Sequence, residues 1–513
     1  MHRAWIGLGI FIFLTGSQSA WPQPSSPPPP DTPVINEVID VRVVNVEAVV
    51  TGKDGKPVRG LGPADFRLLV DGREVPIDYF SEVADGVAAP PPAAQAAAAG
   101  PASPVEPAAR VGRSYLVFID ESFAVAKLRD RVVERLAADL RLLGPDDQMA
   151  VLAFDGERIT VLSPWSADGI DLSLALEVAR RRPTRGNQLL AAERSRAADL
   201  DFSVEAVAEV NSEKEIQTML REPMGRRDNP EARTQLGRTA AAMAGALRGF
   251  ETPPGRKVMI LLSGGWSLQV APRLFGPVVE AANRLGYTLY PVDVAQGDAQ
   301  ILRGFDLLAS TTGGRVANSA RESVLSTVAA DSGTYYWLGF TPAWKGDDRG
   351  HTLVVEARRP GLVVRARRGF SDVSQRTEAT LRAESVLLFG GAREEKRIQV
   401  EVGEVRPVGR RGREVEVDFI FGVPVKSLAF QPAKSGSGYV AEVPVGISSL
   451  DEKGGRAELP NLRMLVPVEQ VPVVGHARCK ATLKLRRVAQ RLVFTVPDAV
   501  RGTVLWGEAQ LSF

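Results

Sequence analysis

Short apolar runs alternate with amphipathic segments through the middle of the chain. Tyr115–Ile119 (YLVFI) and Val258–Leu262 (VMILL) contain almost no polar atoms, and Gln148–Phe154 (QMAVLAF) is similar. Such runs are typical of parallel strands that are buried on both faces. From Leu128 to Leu143, apolar residues recur every three or four positions, which predicts a helix between the first two strands. This alternation predicts an α/β domain over residues 113–330, with a central doubly wound, mostly parallel sheet.

Strand patterns flank this predicted domain on both sides. Alternation of apolar residues and a hairpin pattern around Asp71-Gly72 predict a small β unit over residues 38–83. Residues 331–371 are predicted to form a β extension, and residues 376–513 a β-sandwich-like domain, because both regions contain short apolar runs separated by turn residues. As a hypothesis, the β extension pairs with the N-terminal β unit, so that the α/β domain is inserted into one β module.

The remaining segments are predicted to be targeting or linking sequences. His2 and Arg3 precede the apolar run Ala4–Leu14 and small residues up to Ala20, which is the layout of a secretory signal peptide over residues 1–20. Residues 21–37 form a Pro-rich tether and residues 84–112 an Ala/Pro linker. Residues 168–232 are polar, and we expect a helical insertion there. A secreted or periplasmic protein without a transmembrane span in its mature chain is therefore expected.

Composition argues against several classes of function. The net charge of +2 gives no general case for a nucleic-acid partner. With three His and one Cys, the chain has no Cys/His set for zinc and no intrachain disulfide. The G-x-S-x-G, P-loop and H-E-x-x-H motifs are absent from the sequence, so we expect no enzymatic activity. No cofactor is expected beyond a weak Mg²⁺ site.

Candidate site residues follow the predicted strands. In doubly wound sheets ligands bind at the carboxyl ends of the strands. Asp120 and Ser122 lie there after the first strand, Gly264 and Trp266 after the strand at Val258–Leu262, and Asp293 ends the next strand. Trp266 could be a contact anchor or could be buried. We predict that these five residues form a ligand-binding crest.

The α/β region resembles a von Willebrand factor A domain, through the segments FIDESFA, GPDDQMAVLAF, GRKVMILLSGG and the strand ending at Asp293. More closely, residues 38–371 resemble a bacterial family of secreted VWFA-related proteins described mainly from acidobacteria. The segments GKPVRGLGPADFRLLVDG, TGGR, YYWLGFTP and VRARRGF carry this closer resemblance.

The resemblance implies a binding module with a degenerate metal-ion-dependent adhesion site. Typical A domains bind Mg²⁺ through D-x-S-x-S, a loop Thr and an Asp after the fourth strand. Here Asp120 and Ser122 match, whereas Ala124 replaces the last Ser and Gly264 replaces the Asp. Thr184 is the candidate for the loop Thr. Because Mg²⁺ needs six oxygen ligands, Asp120 and Ser122 are a weak metal site; alternatively they cap the following helix.

The function expected from these observations is an exported, non-enzymatic protein that recognises a protein or a cell-surface component through the crest. Three alternatives remain open from the sequence. They are a metal-dependent adhesion module that retains a weak Mg²⁺ site, a hydrolase of envelope polymers, and a purely structural scaffold.

Overall fold

The computed structural model describes residues 43–89, 110–188, 230–250, 253, 255–264, 274–296, 299–317, 323–389, 398–409, 413–433, 437–452, 456–500 and 503–513. These residues fall into two compact units, one within Arg42–Asp372 and the other within Val373–Phe513. The predicted signal peptide and Pro-rich tether lie outside the described residues, as does most of the predicted Ala/Pro linker.

The first unit contains a β module and an α/β domain. In chain order its strands are β1 (Val44–Thr51), β2 (Phe66–Val70), β3 (Arg73–Val75), β4 (Tyr79–Ala84), β5 (Val87–Ala88), β6 (Arg113–Asp120), β7 (Gln148–Phe154), β8 (Ile159–Ser166), β9 (Arg256–Ser263), β10 (Tyr287–Asp293), β11 (Tyr335–Phe340), β12 (Gly350–Ala357), β13 (Val363–Arg365) and β14 (Gly369–Ser371). Its helices are α1 (Ala126–Ala138), α2 (Gly169–Arg181), α3 (Pro230–Gly249), α4 (Gly276–Leu285), α5 (Ala299–Thr311) and α6 (Val324–Gly333).

The central sheet of the α/β domain has the strand order β10-β9-β6-β7-β8. The first four strands in this order are parallel, and β8 pairs with β7 in the antiparallel direction. Tyr115, Val117 and Ile119 of β6 share one core with residues of α1, α2 and α6. Because side chains alternate between the faces of a strand, the buried Leu116 and Phe118 belong to the other face. The mixed α/β class and the mostly parallel sheet are thus as predicted.

The β module is built from both ends of the first unit. Strand β11 pairs with β1 and with β4, and β12 pairs with β2 and with β14. Phe66, Tyr336 and Leu338 meet in its core. The pairing of the β extension with the N-terminal β unit is therefore confirmed, and the α/β domain is inserted between β5 and β11. Strands β4 and β5 also extend beyond the predicted limit of the β unit at residue 83.

The predicted helical insertion begins with a helix that belongs to the domain core. Helix α2 places Leu172, Leu176 and Ala179 against the central sheet, and Asp168 caps its amino terminus by accepting hydrogen bonds from two amides. The helix begins at Gly169, close to the predicted start of the helical segment, and its buried apolar residues make it part of the domain core. Residues 189–229 of the predicted insertion lie outside the described residues.

The second unit is mainly β, with one helix that was not predicted from the sequence. Its elements are α7 (Gln375–Phe389), β15 (Gln399–Val408), β16 (Glu414–Pro424), β17 (Phe430–Pro432), β18 (Tyr439–Asp451), β19 (Arg456–Val468), β20 (His476–Arg486), β21 (Gln490–Asp498) and β22 (Thr503–Leu511). Strands β15, β16 and β20 form one sheet, and β17, β18, β21 and β22 another, with β19 paired to β18. Residues of both sheets share one hydrophobic core, as in a sandwich. Helix α7 adds Val386 and Leu387 to a smaller cluster with Trp506.

A membrane-spanning helix was not expected in the mature chain. Among the residues that the structure describes, no helix is both long and apolar enough to cross a bilayer.

Candidate functional site

The carboxylate of Asp120 lies at the carboxyl end of β6 and is completely buried. One of its oxygens accepts a hydrogen bond from the amide of Ser122 at 3.1 Å, and the other accepts one from the hydroxyl of Ser263 at 2.6 Å. Ser263 is the last residue of the neighbouring strand β9. The turn after β6 is closed by a hydrogen bond from the amide of Ala124 to the Asp120 carbonyl, and α1 begins two residues later.

The hydroxyl of Ser122 is also engaged by a protein group. It accepts a hydrogen bond from the side-chain amide of Gln235, a residue of α3, at 3.1 Å. The same nitrogen lies 3.2 Å from the carbonyl oxygen of Gly156, in the turn between β7 and β8. An amide N–H is a donor and cannot ligate a cation. Around Ser122 the protein therefore supplies a hydrogen-bond donor where an A domain supplies oxygen ligands.

Close packing surrounds the two positions at which the metal-binding motif is incomplete. Ala124 and Gly264 are both buried. A Cβ atom at Gly264 would lie 2.3 Å from the Cβ of Ala295 and 2.7 Å from the carbonyl oxygen of Phe123. Both distances are far below van der Waals contact, so an acidic side chain cannot be accommodated after β9 without a shift of the backbone. The residues present do not fit a complete Mg²⁺ site.

Among the described residues, no cationic side chain is paired with the carboxylate of Asp120. Burial raises the pKa of Asp120 to about 7, although the hydrogen bonds from Ser263 and Ser122 favour the charged form. The neighbouring acid differs, because Glu121 accepts two hydrogen bonds from the guanidinium of Arg182, just beyond α2. This pairing with Glu121 raises the pKa of Arg182. The negative charge of Asp120 is therefore unfavourable where it is buried, whereas Glu121 is paired with a guanidinium.

The other predicted crest residues have different surroundings. Asp293 ends β10 opposite Ser263, and its carboxylate accepts a hydrogen bond from the amide of Ala295 at 2.8 Å. Asp293 therefore lies at the same edge of the sheet as Asp120, where it caps a turn. Thr184 is half-buried in the segment after Arg182. Trp266 lies outside the described residues.

Sequence reasoning missed Gln235 and Ser263, the two side chains that complete this site. Ser263 could have been found, because it directly follows the apolar run of β9. Gln235 gave no such signal, since it lies in a polar segment far from the strands in sequence. Asp120, Ser122 and Gly264 lie at the same edge of the sheet, and all three are buried, so none presents a side chain on the surface.

A second group of ligating side chains lies in the β module. The group consists of Asp347, His351 and Asp372. Each residue offers one ligand atom, and these three atoms lie within 4.8 Å of one another. Nδ1 of His351 lies 2.8 Å from the carboxylate of Asp71, and Asp372 accepts a hydrogen bond from the amide of Lys345 at 2.6 Å. The contact of His351 with Asp71 joins β12 to the turn between β2 and β3, and the contact of Lys345 with Asp372 joins the loop between β11 and β12 to the residue after β14.

Comparisons with known proteins add little to these observations. No protein-family model matches the chain, and no curated protein sequence matches it. Among solved structures, the TFIIH p34 N-terminal domain aligns over 43% of this chain and 97% of its own, at 14% identity and a TM-score of 0.21. The SpRpn10 VWA domain aligns over 36% of this chain and 90% of its own, at 12% identity and a TM-score of 0.18.

A third structure, the pilus adhesin SpaC from Lactobacillus rhamnosus GG, aligns over 90% of this chain and 61% of its own, at 8% identity and a TM-score of 0.26. All three TM-scores are low. The α/β architecture therefore rests on the strand pairings described above, and membership of the von Willebrand factor A family stays a prediction.

Proposed function

We propose that this chain is an exported, non-enzymatic binding protein. Its α/β domain, with a degenerate metal-ion-dependent adhesion site, recognises a protein or a cell-surface component by surface complementarity, without a bridging metal ion. The observation that carries the proposal is the way Asp120 and Ser122 are engaged. Both are buried, and their oxygens accept hydrogen bonds from Ser263, Gln235 and the Ser122 amide. A carboxylate and a hydroxyl held in this way cannot also take up a partner's metal ion without rearrangement.

The surface of α2 supports recognition of a protein partner. Ile170, Leu174 and Val178 are 73%, 62% and 50% exposed, and they lie four residues apart, which places them on one side of the helix. The opposite side of α2 packs into the core through Leu172 and Leu176. A row of exposed apolar side chains is typical of a protein–protein interaction site.

This apolar row on α2 ends next to the site at Asp120. Arg182, just after the helix, binds Glu121, and the amide of Arg185 donates to the Glu121 carbonyl at 2.8 Å. A partner lying along α2 would therefore reach the edge of the sheet that A domains use for binding. In this proposal the partner presents an apolar groove or face to Ile170, Leu174 and Val178.

The experiment is a pull-down from a solubilised envelope extract with three forms of the mature chain, each in Mg²⁺ and in EDTA. They are the wild type, the double variant Ile170→Ser/Leu174→Ser, and the control Val354→Ser. Val354 is also exposed, but lies on the β module. We expect the wild type and the control to retain a partner in EDTA. The double variant should not retain it. Loss from the wild type in EDTA, or equal retention by all three, would contradict the proposal.

One observation favours the metal-dependent alternative. Among the described residues, no basic side chain lies within ion-pair distance of the buried Asp120 carboxylate, and a cation would neutralise it. This alternative predicts that Mg²⁺, Mn²⁺ or Ca²⁺ raises the melting temperature relative to EDTA, and that Asp120→Ala abolishes the shift. A cation at 100 times its Kd would stabilise by about 2.7 kcal/mol, which thermal unfolding resolves easily. Our proposal predicts no such shift.

A further inference from the structure

A cavity of about 140 Å³ lies at the edge of the central sheet opposite Asp120. Lys257 and Tyr287, near the starts of β9 and β10, line it together with Asn45 and Glu47 of β1, Trp337 of β11, and Arg367. The cavity therefore lies between the α/β domain and the β module of the first unit. Its volume is sufficient for an ion or a molecule of several non-hydrogen atoms.

Two cationic side chains, those of Lys257 and Arg367, line this cavity and donate to backbone carbonyl groups. Nζ of Lys257 donates to the carbonyl oxygen of Leu285 at 3.0 Å, and the guanidinium of Arg367 donates to the carbonyl oxygens of Asn283 and Asn45. Among the described residues, no carboxylate lies within ion-pair distance of either cation. Nε of Arg367 is buried and has no hydrogen-bond partner in the part of the chain that the structure describes.

The acid that lines the cavity, Glu47, attracts both cations but cannot balance them, because it is paired most closely with a third cation, Arg256. Glu47 lies 3.5 Å from the buried guanidinium of Arg256, which is also 4.3 Å from the centre of the Tyr335 ring. The Glu47–Arg256 pair leaves two positive charges on the lining. Both cations are incompletely solvated because they are buried, and this burial lowers the pKa of Lys257 and of Arg367. Charges of this kind are costly unless a counter-ion is present.

From the cavity and its unpaired donors, we infer that this site binds a small oxyanion, a carboxylate or phosphate group, between Lys257 and Arg367. Hydrogen bonds from charged donors to such groups are among the strongest that proteins form. Lysine has three N–H donors, and within the described ranges one of those on Lys257 is used, by the carbonyl group of Leu285. Tyr287 and Trp337 supply aromatic walls for the uncharged part of a ligand. The inference is independent of the proposed partner surface on α2.

The test is calorimetric titration of the dialysed full chain with phosphate, sulfate and acetate, at an ionic strength kept constant with sodium chloride. We expect saturable binding of one anion per chain. The comparison of phosphate with acetate distinguishes a phosphorylated ligand from a carboxylic acid. In Lys257→Met, which keeps the aliphatic stem but loses the charge, we expect Kd to rise by about tenfold or more, as for the loss of one charge-assisted hydrogen bond.

Lys127→Met serves as the control, because Lys127 is exposed on α1, away from the cavity lining. It should bind as the wild type does. Circular dichroism and the melting temperature without added anion show that each variant is folded. Two outcomes would overturn the inference: the absence of saturable binding in the wild type, or the same Kd in wild type and Lys257→Met.

Discussion

The side-chain amide of Gln235 donates a hydrogen bond to the hydroxyl of Ser122 at 3.1 Å, although the two residues are 113 positions apart in the chain. Through the same nitrogen, Gln235 also reaches the Gly156 carbonyl. One side chain of α3 thus joins the turn after β6 to the turn after β7. In an A domain that retains its metal, oxygen ligands would surround this position, and here an N–H donor lies there instead.

Gln235→Ala should destabilise the first unit by about 1–3 kcal/mol, because it leaves the Gly156 carbonyl and the Ser122 hydroxyl without their common donor. Urea unfolding of the full chain would measure the loss. Gln188→Ala is the matched control, since Gln188 is exposed and the same side chain is removed. If the two variants have equal stability, the contacts of Gln235 contribute nothing measurable.

Asp120→Asn should stabilise the protein at neutral and alkaline pH. The pKa of Asp120 is raised to about 7 in the folded state from 3.8, so the native state holds a proton that the unfolded state has lost between these two values. The free energy of unfolding from this group therefore falls as pH rises from about 4 to about 7, by roughly 4 kcal/mol in total. An Asn carries no charge; its side-chain oxygen can accept from the Ser122 amide, and its NH2 group can donate to the Ser263 hydroxyl, which is able to accept.

We therefore expect Asp120→Asn to exceed the wild type in stability by up to about 4 kcal/mol at pH 8, with the difference disappearing towards pH 4. Denaturant unfolding at a series of pH values gives this difference directly. The same series on Asp54→Asn, an exposed turn residue, corrects for the general loss of one acid. A difference that stays constant with pH would show that Asp120 does not titrate in this range.

The parts of the fold that could be predicted are those with a strong local pattern. Tyr115–Ile119 and Val258–Leu262 are apolar throughout because parallel strands are buried on both faces, and they form β6 and β9 as expected. Helix α7 was missed because its hydrophobic face is weakly marked and it lies next to a long series of strands. Its position depends on packing against β18, β21 and β22, which no local pattern reveals.

The candidate site could likewise be predicted only in part. Asp120, Ser122 and Gly264 could be placed together, because the carboxyl ends of parallel strands meet at one edge of a sheet. Their burial could not be predicted, since it depends on Gln235 and on the approach of Ala295 to Gly264. These contacts join segments that are distant in sequence, and the residue types involved are common in loops and helices.

Gly264→Asp tests whether the missing acid of the motif can be restored. A Cβ at this position would lie 2.3 Å from the Cβ of Ala295. We expect the free energy of unfolding to fall by about 3 kcal/mol or more, because the variant both overpacks the site and buries a charge beside Asp120.

Gly276→Asp is the control, because an added Cβ there meets no atom within 4 Å and an acid is favourable in the first turn of α4. Melting temperatures of both variants, with Mg²⁺ and with EDTA, give the answer. If Gly264→Asp were as stable as the control and gained stability from Mg²⁺, the site would be one substitution from metal binding, and its packing would not explain the degenerate motif.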